Sequence, residues 1–151
     1  MNLNFRTEIS DAYASSTQKA WVMSEDWVER MLPCPSCGFS ALTRQSNNSR
    51  ISDFVCASCT EHFELKASAK PLGLKIPDGA FGTMMERLRA DTSPNLLYLH
   101  YDGPELKVRS LSLTPKHFLT VEAIERLGNC FTLAQVYEFE PHLVIAHPTR
   151  L

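Results

Sequence analysis

The sequence lacks the features that would mark it as secreted, membrane-bound or disordered. No apolar run approaches the roughly 20 residues that a transmembrane helix needs. The first residues carry acidic side chains and lack the apolar centre of a signal peptide. Apart from a doubled cysteine pair, no repeat or low-complexity tract is visible. We therefore expect a cytoplasmic protein that does not bind membranes.

The chain also lacks an excess of positive charge. Its 15 Lys and Arg residues are outnumbered by 17 Asp and Glu residues, which gives a formal net charge of -2. Overall charge therefore gives no sign of nucleic-acid binding, and any basic surface must be local. The 151 residues are 44% hydrophobic and 21% charged, which is typical of a globular protein with one ordinary core.

Hydrophobic periodicity predicts a mixed α/β fold. Helices are predicted over residues 15–32, 77–91, 120–127 and 132–140, and strands over residues 50–56, 62–67, 94–101 and 106–115. Within the first helix, Ser24 is predicted to cap a second segment, and Trp21 and Trp27 are predicted to lie in the core. The first two strands are close enough in sequence to pair as a hairpin.

Four of the five cysteines form two C-x2-C pairs. Cys34 and Cys37 precede Cys56 and Cys59 by a spacer of 18 residues, a spacing typical of tetrahedral zinc sites. Four thiolates leave no open coordination position, so the sequence predicts a structural zinc within residues 34–59. The alternative is a set of buried or redox-active thiols. The lone Cys130 is predicted to be a small buried residue.

A second set of residues is interleaved with the cysteines. Alternate side chains of a strand share a face, so Glu64 and Lys66 should point to the same side, and hairpin pairing can bring Asp53 beside them. Converging carboxylates repel one another, and a hard cation such as Mg²⁺ relieves that repulsion. The alternative is a solvated hairpin face with one weak ion pair. His62 shares this face but is predicted to be a surface histidine.

Five segments of the chain carry a family resemblance. They are QKAWVMSEDWVERM, CPSC, SDFVCASCTEHFELK, DGAFGTMMERLRADTSPNLLYLHY and LTPKHFLT. The most specific feature is the C-x2-C pair inside the Asp and Glu-x-Lys hairpin. From residue 1 to about residue 126, the chain resembles the DpnI-like methyl-directed restriction endonucleases of the PD-(D/E)XK superfamily. The resemblance implies a restriction-endonuclease-like α/β fold, in which a mixed sheet core with helices carries an inserted four-cysteine zinc knuckle.

The resemblance also implies roles for individual residues. Asp53 and Glu64 would bind Mg²⁺ together with the backbone carbonyl of Leu65, Lys66 would be the catalytic lysine, and the four paired cysteines would hold Zn²⁺. The implied activity is that of a type II restriction enzyme in a prokaryotic cytoplasm. It would use Mg²⁺ to cleave double-stranded DNA at GATC with N6-methylated adenine, and we expect it to act as a monomer.

The resemblance weakens towards the end of the chain. Residues 1–130 are expected to form the catalytic domain, and residues 131–151 the beginning of a winged-helix domain, as in a C-terminally truncated form. Lys70, Lys75, Arg87 and Arg89 are candidates for phosphate contacts, although each is interpreted singly as a solvated surface residue. Two other functions stay open: a methylated-DNA-binding module that does not cut, and a zinc-ribbon interaction protein with an incidental charge cluster.

Overall fold

The computed structural model describes residues 1–46, 52–73, 77–78, 81–89, 92–120, 124–127 and 130–133. The helices are α1 (Ser16–Met31) and α2 (Phe81–Arg89), with single 3-10 turns at Thr7–Ser10 and Lys116–Phe118. The strands are β1 (Thr43–Arg44), β2 (Phe54–Val55), β3 (His62–Ser68), β4 (Pro77–Asp78), β5 (Asn95–Asp102), β6 (Lys107–Thr114), β7 (Ile124–Leu127) and β8 (Cys130–Leu133). The mixed α/β prediction is confirmed.

A five-stranded mixed sheet organises the molecule in the order β1-β2-β3-β5-β6. The predicted hairpin is present, because β2 pairs antiparallel with β3. Strand β3 runs parallel to β5, and β5 pairs antiparallel with β6. A parallel pair needs a long crossover, and the connection from β3 to β5 includes α2. Strands β4, β8 and β7 form a separate three-stranded sheet.

The main hydrophobic core lies between α1 and one face of the five-stranded sheet. Phe63 and Leu65 of β3 alternate towards this face and are buried against Trp27 of α1. Leu97 and Leu99 of β5 extend the same layer. Each such side chain contributes on the order of 1.5–3 kcal/mol when fully buried. This layer therefore fixes the orientation of β3, and with it the direction of the intervening polar side chains.

The opposite face of the sheet carries a smaller apolar cluster. Leu96 and Tyr98 of β5 pack there with Leu88 of α2, together with Leu72 and Leu119. Helices α1 and α2 thus contact opposite faces of the sheet. The side chains of β3 that point away from the main core lie on the α2 side.

Helix α1 differs from its predicted form in two respects. It is one continuous helix, and Ser24 is buried in its middle, where Oγ donates to the Ala20 carbonyl at 2.7 Å, so the predicted cap is wrong. Trp27 is buried as predicted, but Trp21 is 39% exposed and lies beside the Arg44 guanidinium. Six residues correspond to about 240° around a helix, so the two indoles cannot face the same layer.

The second half of the chain departs further from the prediction. The predicted helix over residues 120–127 is wrong, because β7 occupies residues 124–127 and pairs with β8, with Leu127 opposite Cys130. The intervening Gly-Asn dipeptide is a hairpin signal that the helical interpretation overlooked. Residues 77–78 form β4, so α2 begins later than predicted.

Several predictions fall outside the described residues. Strand β8 includes residues 132–133, the first two residues of the helix predicted over 132–140, and the rest of that segment lies outside the description. The same holds for most of the predicted second domain and for the side chain of Cys130. The division into two domains stays a prediction. Neither of the described helices is long and apolar enough to cross a membrane.

Candidate active site and metal centre

The four paired cysteines converge on one point. All four Sγ atoms lie within 4.8 Å of one another. The Cys34–Cys59 and Cys37–Cys56 pairs are each separated by 3.6 Å between Sγ atoms. A tetrahedron built on Zn–S bonds of about 2.3 Å has edges of about 3.8 Å, so the donor set and its dimensions fit zinc. The predicted four-cysteine cluster is present.

The two C-x2-C turns have the same backbone design. In the first, the Gly38 N–H donates to the Cys34 carbonyl at 2.8 Å, and in the second the Thr60 N–H donates to the Cys56 carbonyl at 3.0 Å. In both turns, the N–H of the first cysteine donates to the carbonyl five residues later. Gly38 and Thr60 both have positive φ angles, 75° and 59°. Each pair is thus a closed knuckle that presents two sulfur atoms inward.

Local hydrogen bonds also prepare part of the cluster for metal binding. Burial raises the pKa of the Cys34 thiol to about 12. At Cys56, burial acts in the same direction, but the N–H groups of Cys59 and Ser58 outweigh it and the pKa is lowered to about 7. The Ser58 N–H donates to Cys56 Sγ at 3.4 Å. A bound cation would favour the thiolate form throughout the cluster.

Asp53 lies where the pairing of β2 with β3 ends. Its N–H donates to the Phe63 carbonyl at 3.1 Å, and its Oδ2 accepts the Leu65 N–H at 2.7 Å. The carboxylate thereby satisfies the next backbone donor along the edge of β3. Burial raises the pKa of Asp53, the hydrogen bond from Leu65 opposes this, and repulsion from Glu64 adds to it. The buried negative charge is therefore only partly compensated.

Glu64 and Lys66 share a face of β3, as strand alternation predicts. Lys66 Nζ lies 3.2 Å from Glu64 Oε1. Both side chains are largely enclosed, at 29% and 16% exposure for Lys66 and Glu64. Lys66 also opposes the rise in the pKa of Asp53, which means that its charge is felt there. The structure therefore brings the three polar residues of the hairpin into one electrostatic cluster.

Arg87 of α2 is a member of this cluster that the sequence analysis interpreted as solvated surface. Its Nη1 lies 3.0 Å from Glu64 Oε2, and its side chain is 22% exposed. Its charge also opposes the rise in the pKa of Asp53. Glu64 and Arg87 are 23 residues apart, and no periodicity in the sequence distinguishes Arg87 from Arg89. Only the packing of α2 against the sheet selects it.

His62 is half-buried rather than on an open surface. Its Nδ1 lies 2.8 Å from Ser52 Oγ, which also donates to the Phe54 carbonyl at 3.0 Å. A hydroxyl has one proton, so with that proton on the carbonyl the imidazole Nδ1–H is the donor to Ser52. His62 thus braces the residue that precedes Asp53, and it keeps a partly exposed position on the hairpin.

A family comparison covers the part of the chain that carries both clusters. Residues 1–132 match the family model described as "DpnI: Dam-replacing family". The matched range includes the four-cysteine cluster and the Asp53, Glu64 and Lys66 cluster. Membership implies a restriction nuclease with DNA as its partner. Because the match covers 132 of 151 residues, the chain belongs to the DpnI (Dam-replacing) family.

Proposed function

We propose that this protein is an Mg²⁺-dependent endonuclease that cleaves double-stranded DNA at GATC sites with N6-methylated adenine. The observation that carries the proposal is the meeting of Asp53, Glu64 and Lys66 beside one edge of β3. Family membership supports DNA as substrate and methylation as the feature that directs cleavage. The five-stranded mixed sheet between α1 and α2 supports a restriction-endonuclease-like PD-(D/E)XK core.

Three oxygen donors are suited to hold Mg²⁺. The carboxylates of Asp53 and Glu64 repel one another, as the effect of Glu64 on the pKa of Asp53 indicates. The third donor is the carbonyl of Leu65. The N–H and C=O of a strand residue point to the same side, and the Leu65 N–H points to Asp53. An all-oxygen set of this kind suits a hard divalent cation, whereas the four cysteines suit zinc.

The reaction is phosphodiester hydrolysis. Asp53, Glu64 and the Leu65 carbonyl would hold Mg²⁺, which would supply positive charge beside the phosphate and lower the pKa of the attacking water. The oxygen of water forms a bond to phosphorus and its proton passes to solvent, while the bond from phosphorus to O3′ breaks and O3′ takes a proton from solvent. The Lys66 ammonium lies beside the Glu64 carboxylate. From this position it would orient the water and stabilise the negative charge that develops on the phosphate. The four cysteines would hold zinc, which would join the knuckles on either side of β1 and β2 and so help to fix the position of Asp53.

The proposal is tested with plasmid DNA from adenine-methylating and non-methylating hosts. The zinc-loaded protein should cut only the methylated plasmid, only in the presence of Mg²⁺, and only at GATC. Asp53→Asn and Lys66→Met should each lower the cleavage rate at least about a hundredfold. Asp11→Asn, on an exposed residue, and Lys19→Met, on the other side of the sheet, are matched controls that should cut like the wild type.

Each alternative function has its own outcome in this experiment. Binding of methylated DNA without cleavage would identify a DNA-binding module and contradict the enzymatic proposal. Equal cleavage of both plasmids would contradict the methylation specificity alone. If neither binding nor cleavage is seen, and Asp53→Asn changes no property, the zinc-ribbon interaction protein is the better description.

A further inference from the structure

The carboxylate of Glu64 is already engaged at both oxygens by cations of the protein. Lys66 Nζ lies 3.2 Å from Oε1, and Arg87 Nη1 lies 3.0 Å from Oε2. A metal ion that used Glu64 as a ligand would compete directly with these two groups. Lys66 belongs to the same strand as Glu64, whereas Arg87 belongs to α2.

Among the residues that the structure describes, the four side chains of this cluster carry charges that sum to zero. Two carboxylates, Asp53 and Glu64, are balanced by the Lys66 ammonium and the Arg87 guanidinium. Entry of a divalent cation would leave this enclosed cluster with a net charge of about +2, which is costly where the effective dielectric constant is well below that of water. Binding of DNA changes this balance, because each phosphate brings a negative charge to the same place.

Arg87 is suited to change partners while its helix stays fixed. Leu88, the next residue of α2, packs with Leu96 and Leu119, and the Arg87 carbonyl accepts the Thr92 N–H at 3.0 Å. The packing of Leu88 and the hydrogen bond at the end of the helix therefore both hold the backbone of Arg87 in place. A guanidinium on a long flexible stem binds a phosphate as readily as a carboxylate.

We propose that Arg87 couples metal binding to DNA binding. In the DNA-free protein its guanidinium is paired with the Glu64 carboxylate and so opposes the binding of a divalent cation. When DNA binds, the guanidinium pairs with a backbone phosphate and its ion pair with Glu64 breaks. The Glu64 carboxylate can then bind the metal. Metal and DNA then bind with positive cooperativity, so the cutting site is assembled only on DNA. This inference rests on the proposed nuclease function for the identity of the second ligand.

The first test measures Mn²⁺ binding to the zinc-loaded, DNA-free protein by the loss of the free Mn²⁺ signal in electron paramagnetic resonance. Arg87→Gln should bind Mn²⁺ on the order of tenfold more tightly than the wild type, because a competing unit charge is removed from the cluster. Arg87→Lys keeps the charge and should stay close to the wild type. Arg89→Gln, an exposed arginine of the same helix, removes an equal charge and should have no such effect.

The second test measures the affinity for a short duplex with methylated GATC, with and without Ca²⁺, by fluorescence anisotropy, with gels to verify that the duplex stays intact. By linkage, Ca²⁺ should tighten DNA binding by the wild type by a factor within the range of about 5–150 that is typical of coupled sites. In Arg87→Gln this factor should fall towards one. Cleavage by the same variant should also slow, although its metal site fills more easily.

The inference is overturned if Arg87→Gln binds Mn²⁺ no more tightly than the wild type, or if Arg89→Gln tightens binding equally. Arg87→Met, verified by circular dichroism, is a second neutral variant to be used if the glutamine variant does not fold. Failure of the proposed function has a different signature. A wild type that neither binds nor cuts DNA contradicts that function, while the Mn²⁺ measurement still decides whether Arg87 opposes metal binding.

Discussion

At the scale of single residues, Asp53 combines a structural contact with a charge, and the two can be separated. Asp53→Asn keeps an oxygen that can accept the Leu65 N–H, whereas Asp53→Ala leaves that backbone donor without its acceptor. Asp53→Ala should therefore lower the free energy of unfolding by about 1–3 kcal/mol. Asp53→Asn should be at least as stable as the wild type, because burial disfavours the charged form.

Thermal unfolding of both variants in the absence of Mg²⁺ checks this prediction. Both variants should lose cleavage in the presence of Mg²⁺, so stability and activity should change independently. A destabilised Asp53→Asn variant would show that the charge itself holds the hairpin together. Asp11→Asn is again the control for a change of net charge alone.

The matching knuckles offer a second residue-scale prediction. Gly38 and Thr60 occupy equivalent positions with positive φ, but only glycine adopts this conformation without strain. Gly38→Ala should lower the free energy of unfolding by about 1–2 kcal/mol. Thr60→Gly should relieve a similar strain, but glycine also has greater conformational freedom in the unfolded chain. The free energy of unfolding should therefore fall by no more than about 0.5 kcal/mol. Denaturant unfolding of the zinc-loaded variants measures both changes in the free energy of unfolding. An equal decrease in Gly38→Ala and Thr60→Gly would contradict the prediction.

At the scale of elements, the zinc cluster closes the segment that joins α1 to β3. Strands β1 and β2 are only two residues long, so little backbone pairing holds them without the metal. Removal of zinc with a chelator should lower the free energy of unfolding by several kcal/mol, because an ion that binds only the folded state stabilises it. The fluorescence of Trp27 should change with it, because this indole packs in the same core as Cys34 and Cys56.

The stoichiometry of metal release provides the control for this experiment. One zinc per chain should be released to a chromophoric chelator, and Cys37→Ser should weaken its retention. Cys130→Ser, outside the two C-x2-C pairs, should leave both stoichiometry and stability of the zinc site unchanged. Purified native protein that contains no zinc, with all of its thiols reactive, would contradict the assignment.

Local patterns in the sequence predict one half of the site, and tertiary packing provides the other. The two-residue period of β3 is enough to place Glu64 and Lys66 together, and the C-x2-C spacing is enough to predict the cysteine cluster. Arg87 could not be predicted in the same way, because its partner depends on how α2 crosses the sheet. The hairpin of β7 and β8 was missed because a short apolar run fits a helix as well as a strand.

At the scale of the whole molecule, ion pairs tie α1 to the rest of the structure. Asp26 Oδ2 accepts hydrogen bonds from Arg6 Nε at 3.1 Å and from Arg30 Nε at 2.8 Å, which connects the N-terminal segment to the helix. Glu25 Oε2 lies 2.6 Å from Arg44 Nη2 and connects the helix to β1. Burial acts to raise the pKa of Asp26, but its two arginine partners outweigh this and lower it. The stabilisation from Asp26 is therefore lost only as the pH falls below about 4.

Glu25 has the opposite effect on stability near neutral pH. Burial raises its pKa to about 7, although Arg44 opposes the shift. Its ordinary value of 4.5 applies in the unfolded chain, so between about pH 4.5 and about pH 7 the folded state binds more protons. Stability should therefore decline as the pH rises through this window. Glu25→Gln cannot titrate, so it should come close to the wild type near pH 4.5 and exceed its stability by on the order of 3 kcal/mol near pH 8.

Denaturant unfolding of zinc-saturated protein at a series of pH values measures this difference. Any effect of acid on the zinc cluster is common to both proteins and cancels in the comparison. Gln18→Ala, at an exposed position of the same helix, removes no titratable group and is the control, so it should differ from the wild type by an amount that does not depend on pH. A constant difference for Glu25→Gln would mean that Arg44 keeps Glu25 ionised throughout. Repulsion from Asp53 adds to the raised pKa of Glu25, so Asp53→Asn should reduce the decline in stability that Glu25 causes.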